Sequence, residues 1–381
     1  MHNYSILLFL AGMLLATSCQ PTADRTTTEQ DPIPEITDAM LGQLIMQGFR
    51  GLEIDSVSPI VKDQLEKGEI GNIILFDYDV GLKRYGRNIA SPAQVGQLLA
   101  DLQALAPGFL LTAIDQEGGR VTRLRPVYGF PEIASAQDMG AKENTDSTTY
   151  YATLNAANLK SLGFNVNFAP VVDLNVNPEN PVIGNIKRSF GATTEQVVRH
   201  ARAWIAPHAD AGILSVIKHF PGHGSSQSDS HKGFTDVTAT WTPEELAPFE
   251  QLLATEEALA VMTAHVFNRS IDSIYPATLS PHYIQEILRD SFHYDGVVFS
   301  DDLQMNAVNK LFDFETIIKQ SILAGVDMLV FGNNLEDYDE TLARRTIATL
   351  RKLLDSGEIP AERILQSYER ITNLKVQLKK S

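Results

Sequence analysis

Eight short apolar or β-branched runs recur along the chain, at 44–48, 72–76, 109–114, 165–169, 214–218, 260–264, 296–300 and 327–331. Several are nearly continuous in apolar residues, the pattern of parallel strands covered on both faces. Longer stretches with helical spacing lie between them. Pro92–Leu105 follows Ser91, a residue type suited to an N-cap, and the segments 193–211 and 243–257 have similar character. Two long, charged, amphipathic segments close the chain, Leu342–Asp355 and 360–380.

Strand and helix alternating eight times predict an α/β fold of the (β/α)₈ TIM-barrel class, formed as a single domain. The main competitor is a doubly wound open sheet, which would normally carry a glycine-rich G-x-G-x-x-G turn after its first strand. No such turn stands there. Polar residues separate the two folds further. Asp115, Glu117, Arg120, Arg123, Lys218, His219, His265, Asp301 and Asp302 all fall at or just after the C-terminal ends of predicted strands. In a barrel those ends converge on one face, where active sites are built.

The chain has 381 residues and a formal net charge of −16, which argues against nucleic acid and anionic membrane surfaces as partners. Its single cysteine, Cys19, rules out an intramolecular disulfide and any multi-cysteine metal site. The run 6–16 is apolar but too short to span a bilayer, and small residues Ala16, Thr17 and Ser18 lead into Cys19. This arrangement resembles a bacterial lipoprotein signal, although no Lys or Arg precedes the apolar run. The expectation is a signal peptide over 1–18, lipidation of Cys19, and a membrane-anchored protein facing the periplasm or cell exterior. Residues 20–34 are rich in Thr, Asp, Glu, Gln and Pro, so 19–35 reads as a flexible tether and 36–381 as the catalytic domain.

The segment Lys218-His219-Phe220-Pro221-Gly222-His223-Gly224, followed by Ser228-Asp229-Ser230-His231, gathers three histidines, a lysine and an aspartate directly after a strand. Proline and two glycines exclude a helix and favour tight left-handed turns. Three readings compete for the histidines: buried polar contacts, a metal site formed by His219, His223 and His231, or acid/base catalysis. The His-x-x-x-His spacing would need a helix to present both rings together, which disfavours metal. In Asp229-Ser230-His231, a carboxylate two residues from an imidazole can orient the ring and suit it to proton transfer. Asp301 and Asp302, at the end of the seventh run, offer a nucleophile, with one of the pair free to cap the turn that follows.

Together with Asp115-Gln116-Glu117-Gly118-Gly119-Arg120-Val121-Thr122-Arg123, Ala169-Pro170-Val171-Val172-Asp173 and Lys187-Arg188-Ser189-Phe190-Gly191, these segments resemble glycoside hydrolase family 3, in its single-domain β-N-acetylglucosaminidase branch. The resemblance runs from about Ile36 to the C-terminus. It implies a retaining exo-glycosidase acting on terminal β-linked N-acetylhexosamine, without metal or organic cofactor. Asp301 matches the family's nucleophile, His231 its histidine acid/base and Asp229 that histidine's partner. Asp115, Arg123, Arg188, Lys218 and His219 match residues that bind the sugar. The expected partner is a small glycan of peptidoglycan or chitin type, with membrane contact only through the N-terminal lipid. The chain departs from the family pattern at Ser225, where many members carry an acidic residue after Gly-His-Gly. The segments around 78–87 and 178–186 do not match strongly, so the leaving-group side is unassigned.

Overall fold

The strands are β1 Ile45–Gly48, β2 Asn72–Ile74, β3 Tyr78–Asp79, β4 Arg84–Tyr85, β5 Leu111–Ile114, β6 Val166–Asn167, β7 Leu214–Phe220, β8 Leu259–Thr263, β9 Val298–Phe299 and β10 Leu329–Phe331. They come from a computed structural model, which describes residues 34–229, 233–255 and 259–380. Eight of them form one parallel sheet in the order β10-β1-β2-β5-β6-β7-β8-β9. A bridge between Phe299 and Met328, with Ser300 N–H donating to the Met328 carbonyl, joins β9 to β10 and closes the ring. All eight predicted runs are therefore strands of the barrel, and the TIM-barrel expectation holds. The predicted signal peptide, most of the tether, Cys19 and His231 lie outside the described residues.

Helices wrap the ring because their apolar stripes match its outer face. In Pro92–Leu105, Ser91 accepts a hydrogen bond from Gln94 N–H, and Pro92 takes the first turn, where a missing N–H costs nothing. Its buried residues are Val95, Leu98, Leu99 and Leu102, one face at helical spacing. Leu342–Asp355 buries Leu342, Ala343, Thr346, Ile347, Leu350 and Leu353 by the same rule. The segment expected as one helix over 243–257 is instead a 3₁₀ turn at Pro243–Leu246 followed by a helix at Ala247–Leu253.

Two differences from the expectation shape the mouth of the barrel. β7 does not stop at Lys218 but continues to Phe220, with a register irregularity against β8 between Ile217 and Phe220. A bulge of this kind re-aims side chains at a rim, and here it carries Lys218 and His219. The second difference is the antiparallel hairpin β3–β4, which stands on the C-terminal end of β2.

Candidate active site

The Lys218 ammonium, only 2% exposed, donates to Asp115 Oδ1 at 2.7 Å and lies 2.8 Å from Glu117 Oε1. Arg188 holds the Glu117 carboxylate with two hydrogen bonds, of 2.9 and 2.8 Å, and Arg123 reaches Asp115 Oδ2 at 3.3 Å. Burial alone would push both carboxyls up. Lys218 and Arg123 more than offset it at Asp115, and Arg188 and Lys218 at Glu117, so both stay below the ordinary carboxylate range. Burial lowers the Arg188 pKa, but the Glu117 charge outweighs it and the guanidinium stays firmly protonated. The floor of the cleft is thus a fixed lattice of charge, with donors and acceptors held before any ligand arrives.

Asp173 organises the next layer. Its Oδ2 receives the hydrogen bond of His219 Nδ1 at 2.7 Å, and its Oδ1 accepts from the backbone N–H of His219 and of His223. Arg188 Nη2 meets His219 Nε2 at 3.2 Å. A guanidinium can only donate, so in this geometry Nε2 accepts and the ring hydrogen sits on Nδ1, facing Asp173. The rings of His219 and His223 stand 5.8 Å apart, edge to face. The rings are neighbours without a helix, but His219 commits both ring nitrogens to Asp173 and Arg188, and no three-ligand metal cluster forms among the described residues. Burial, then the neighbouring His219, lowers the His223 pKa to about 4, with Asp173 and Asp301 opposing. His223 is neutral at physiological pH, and Asp301 stands near enough to act on its ring.

The two glycines of this loop serve different needs. Gly222 has φ +114°, and a Cβ there would come within 2.6 Å of Glu245 Cβ. Gly224 is not left-handed; a Cβ on it would meet the Leu174 carbonyl oxygen at 1.8 Å, so close packing is what demands glycine. The Ser225 backbone N–H donates to Glu245 Oε2 at 3.2 Å, and Glu245 is 1% exposed. Burial pushes the Glu245 pKa up to about 7. A carboxylate thus does face the Ser225 position, supplied from elsewhere in the chain.

Asp301 and Asp302 follow β9. The Asp302 N–H donates to Asp301 Oδ1 at 2.8 Å, while Asp302 Oδ1 accepts from Gln304 N–H at 3.0 Å, capping the turn. His265, fixed by Thr278 at 2.8 Å, bonds the Asp302 carbonyl. Both aspartates line a cavity of about 570 Å³ at the C-terminal mouth of the barrel. Asp115, Arg123, Arg188, Lys218 and His219 line the same cavity, so every predicted sugar-binding residue converges with the predicted nucleophile. Asp229 is described at the end of the loop, immediately before the undescribed residues 230–232. Arg120, grouped with the strand-end residues in the sequence, is exposed and does not line the cavity.

Sequence reasoning gave no role to Glu117, placed only at a strand end, or to Asp173 and Glu245. The first two stood within quoted motifs, but pairing across 71 residues to Arg188 and 46 to His219 has no local signal. Glu245 sits in Thr242-Pro243-Glu244-Glu245, which reads as an ordinary acidic helix start.

A barrel whose strand ends carry two adjacent carboxylates, Asp301 and Asp302, beside a preorganised cluster of charged donors and acceptors has the layout of a carbohydrate-hydrolase site. The profile described as "Glycosyl hydrolase family 3 N terminal domain" matches residues 36–374. The chain belongs to glycosyl hydrolase family 3. It is 34% identical to a β-hexosaminidase of Pseudomonas aeruginosa over 81% of this chain and 88% of that protein. It is 30% identical to β-hexosaminidase A of Pseudoalteromonas piscicida over 92% of this chain, but spans only 62% of that relative's length. Among solved structures, a family 3 β-N-acetylglucosaminidase from Paenibacillus sp. superposes with a TM-score of 0.81 at 36% identity, covering 91% of this chain and 63% of that one.

Proposed function

We propose that this protein is a retaining exo-glycosidase that releases terminal, non-reducing β-linked N-acetylglucosamine. The observation that carries this reading is the convergence of Asp301 with the Asp115, Arg123, Arg188, Lys218 and His219 cluster in one strand-end cavity. Membership of family 3 and the names of its relatives agree with it.

In the first step Asp301 attacks the anomeric carbon, the glycosidic C–O bond breaks, and the departing oxygen takes a proton from His231. In the second, His231 removes a proton from water, whose oxygen attacks the same carbon and releases Asp301. Two inversions give net retention. An imidazolium acid becomes neutral on losing its proton, so no second anion forms near Asp301; Asp229 orients the ring and stabilises its charged form. Lys218, Arg123 and Asp115 bind sugar hydroxyls and the 2-acetamido group through charge-assisted hydrogen bonds. Asp173 and Arg188 engage both ring nitrogens of His219 and fix the ring at the cavity wall.

A panel of p-nitrophenyl β-glycosides tests the proposal: the N-acetylglucosaminide should be cleaved far faster than the glucoside or xyloside. Preference for the glucoside or xyloside would move the protein to another exo-β-glycosidase activity, and a folded protein inert on all three would favour a glycan-binding role. We also propose that Cys19 is lipid-modified and anchors the enzyme in the cell envelope, where peptidoglycan or chitin-type fragments are the glycan source. Incorporation of labelled palmitate that disappears in Cys19→Ser supports this, and absence of label from the unaltered protein refutes it.

A further inference from the structure

Asp115 and Arg123 meet across the cleft although they stand eight positions apart, so the loop between them decides where the guanidinium lies. Both line the cavity, whereas Gln116, next to Asp115, does not and is only 1% exposed. Successive side chains of an extended chain point to opposite sides. Asp115, leaving β5, therefore faces the cleft, and Gln116 faces the fold beneath it. The chain then reverses. The N–H groups of Glu117 and Gly118 both donate to the Val121 carbonyl, at 3.0 and 3.2 Å. Gly118 and Gly119 supply the left-handed φ values of +94° and +58° that this turn demands.

As the chain returns, three donors converge on the Gln116 side-chain oxygen. They are the Thr122 hydroxyl at 3.0 Å, the Arg123 N–H at 2.9 Å and the Leu124 N–H at 3.0 Å. The Gln116 backbone is held as firmly. Its N–H donates to Asn167 Oδ1 at 3.1 Å, and its carbonyl accepts from Asn155 Nδ2 at 2.9 Å and Asn167 Nδ2 at 3.1 Å. Asn167 Nδ2 also meets His208 Nε2 at 3.3 Å, and His208 Nδ1 lies 2.8 Å from the Trp204 carbonyl. An amide nitrogen can only donate, so Nε2 accepts and the ring hydrogen sits on Nδ1. Burial lowers the His208 pKa to about 4, which keeps the ring in this neutral form. A continuous buried network thus runs from the helix Thr194–Asp210 through β6 to Gln116 and the loop it anchors.

We propose that Gln116 is a positioning residue of the active site: its side-chain oxygen sets the return of the loop, delivers Arg123 to the sugar, and acts on the reaction through that arginine. The inference rests on the hydrolase reading above. The three cations of the cleft differ in how they are held. Lys218 has two carboxylate contacts of 2.7 and 2.8 Å, and Arg188 has two hydrogen bonds of 2.9 and 2.8 Å to Glu117. Arg123 reaches Asp115 at a longer 3.3 Å, with its guanidinium 5.6 Å from the Phe76 ring centroid. Its placement depends on its backbone, which Gln116 fixes at Arg123 itself and on both sides of it. Removing that oxygen leaves three donors to find new partners, and the return of the loop shifts with them.

A double-mutant cycle on the full-length protein tests this with p-nitrophenyl β-N-acetylglucosaminide. It compares the unaltered enzyme, Gln116→Met, Arg123→Ala and the double variant. Methionine keeps most of the volume and removes the acceptor. Gln116→Met should lower kcat/KM about 10-fold, mostly through KM because the sugar contact already exists in the ground state, and Arg123→Ala should lower it at least as far. In the Arg123→Ala background, Gln116→Met should change kcat/KM by less than about 2-fold. Gln116→Asn, which draws the oxygen back by one methylene, carries the same cycle if Gln116→Met does not fold. Equal losses from the Gln116 substitution in both backgrounds would mean that it loosens the site generally, and would overturn the positioning role. Unaltered kinetics in the Gln116 variant, or in Arg123→Ala, would overturn it too; all three results leave the hydrolase reading intact. An unaltered enzyme inert on this substrate would overturn the hydrolase reading and the positioning role with it.

Discussion

Replacing Lys218 with methionine removes one cation from between two buried carboxylates while keeping most of the side-chain volume. In the native protein the ammonium contacts Asp115 at 2.7 Å and Glu117 at 2.8 Å. Without it Asp115 keeps Arg123, partly exposed at 3.3 Å, and Glu117 keeps its two bonds to Arg188. Deleting one partner of a buried ion pair costs about 3–5 kcal/mol, because the remaining charge is left uncompensated. The surviving arginines place this case near the lower end, about 3 kcal/mol. For a domain of roughly 350 residues, an unfolding entropy of about 2.1 cal/mol/K per residue converts that into a Tm lower by about 4 °C.

The sign of the pH dependence follows from the same contacts. Asp115 and Glu117 have depressed pKa values in the fold, so their stabilisation is present above the unfolded carboxylate range and fades as pH falls through the folded values. Lys218→Met weakens that depression, so the Tm gap to the native protein should be wide at pH 7.5, still nearly full at about pH 4.5, and narrow toward about pH 3 as the native carboxylates lose their advantage. Differential scanning calorimetry at these pH values measures this. Catalysis should fall about 10- to 100-fold in kcat/KM, the scale of one hydrogen bond to a charged group. A Tm within about 1 °C of native at pH 7.5, or a gap that does not change with pH, would refute the argument that Lys218 neutralises this pair.

Three further outcomes follow from the site. Glu245 has a folded pKa of about 7, above its unfolded value, so its cost to stability is absent at low pH, grows between about 4.5 and 7, and is complete above that. Glu245→Gln should therefore gain stability relative to native at pH 8, on the order of 3 kcal/mol, and lose the advantage at pH 4.5; a pH-independent difference in urea titrations would contradict this. Asp173→Asn keeps the shape but alters the group that orients His219, so kcat/KM should drop by about tenfold or more with a much smaller change in Tm, and unchanged kinetics would count against the positioning role. His231→Ala should slow substrates with poor leaving groups about 10²- to 10⁴-fold while sparing activated phenolates, and an equal loss on both classes would remove it as the acid.

How far the sequence alone reached depends on the range of the interaction. Barrel strands are buried runs whose residues declare themselves one after another, so all eight were legible, as were the stripes of Pro92–Leu105 and Leu342–Asp355. The helix Asp146–Leu162 was not, because its buried face is made of Ala152, Asn155, Ala156 and Thr148 beside only two leucines. The hairpin β3–β4 escaped because two-residue strands have no period to read. At the site, motif residues were legible but their couplings were not: Glu117 with Arg188, Asp173 with both histidines, and Glu245 with Ser225 join segments that only the closed barrel brings together.

In the proposed mechanism Asp301 becomes covalently glycosylated during turnover. Incubation with a 5-fluoro-N-acetylglucosaminyl fluoride, which slows the second step more than the first, followed by peptide mass spectrometry, tests it directly. One sugar per chain should appear on the peptide containing Asp301, with activity recovering as the label is lost. A label on any other residue, or continued hydrolysis with no covalent species formed, would contradict it.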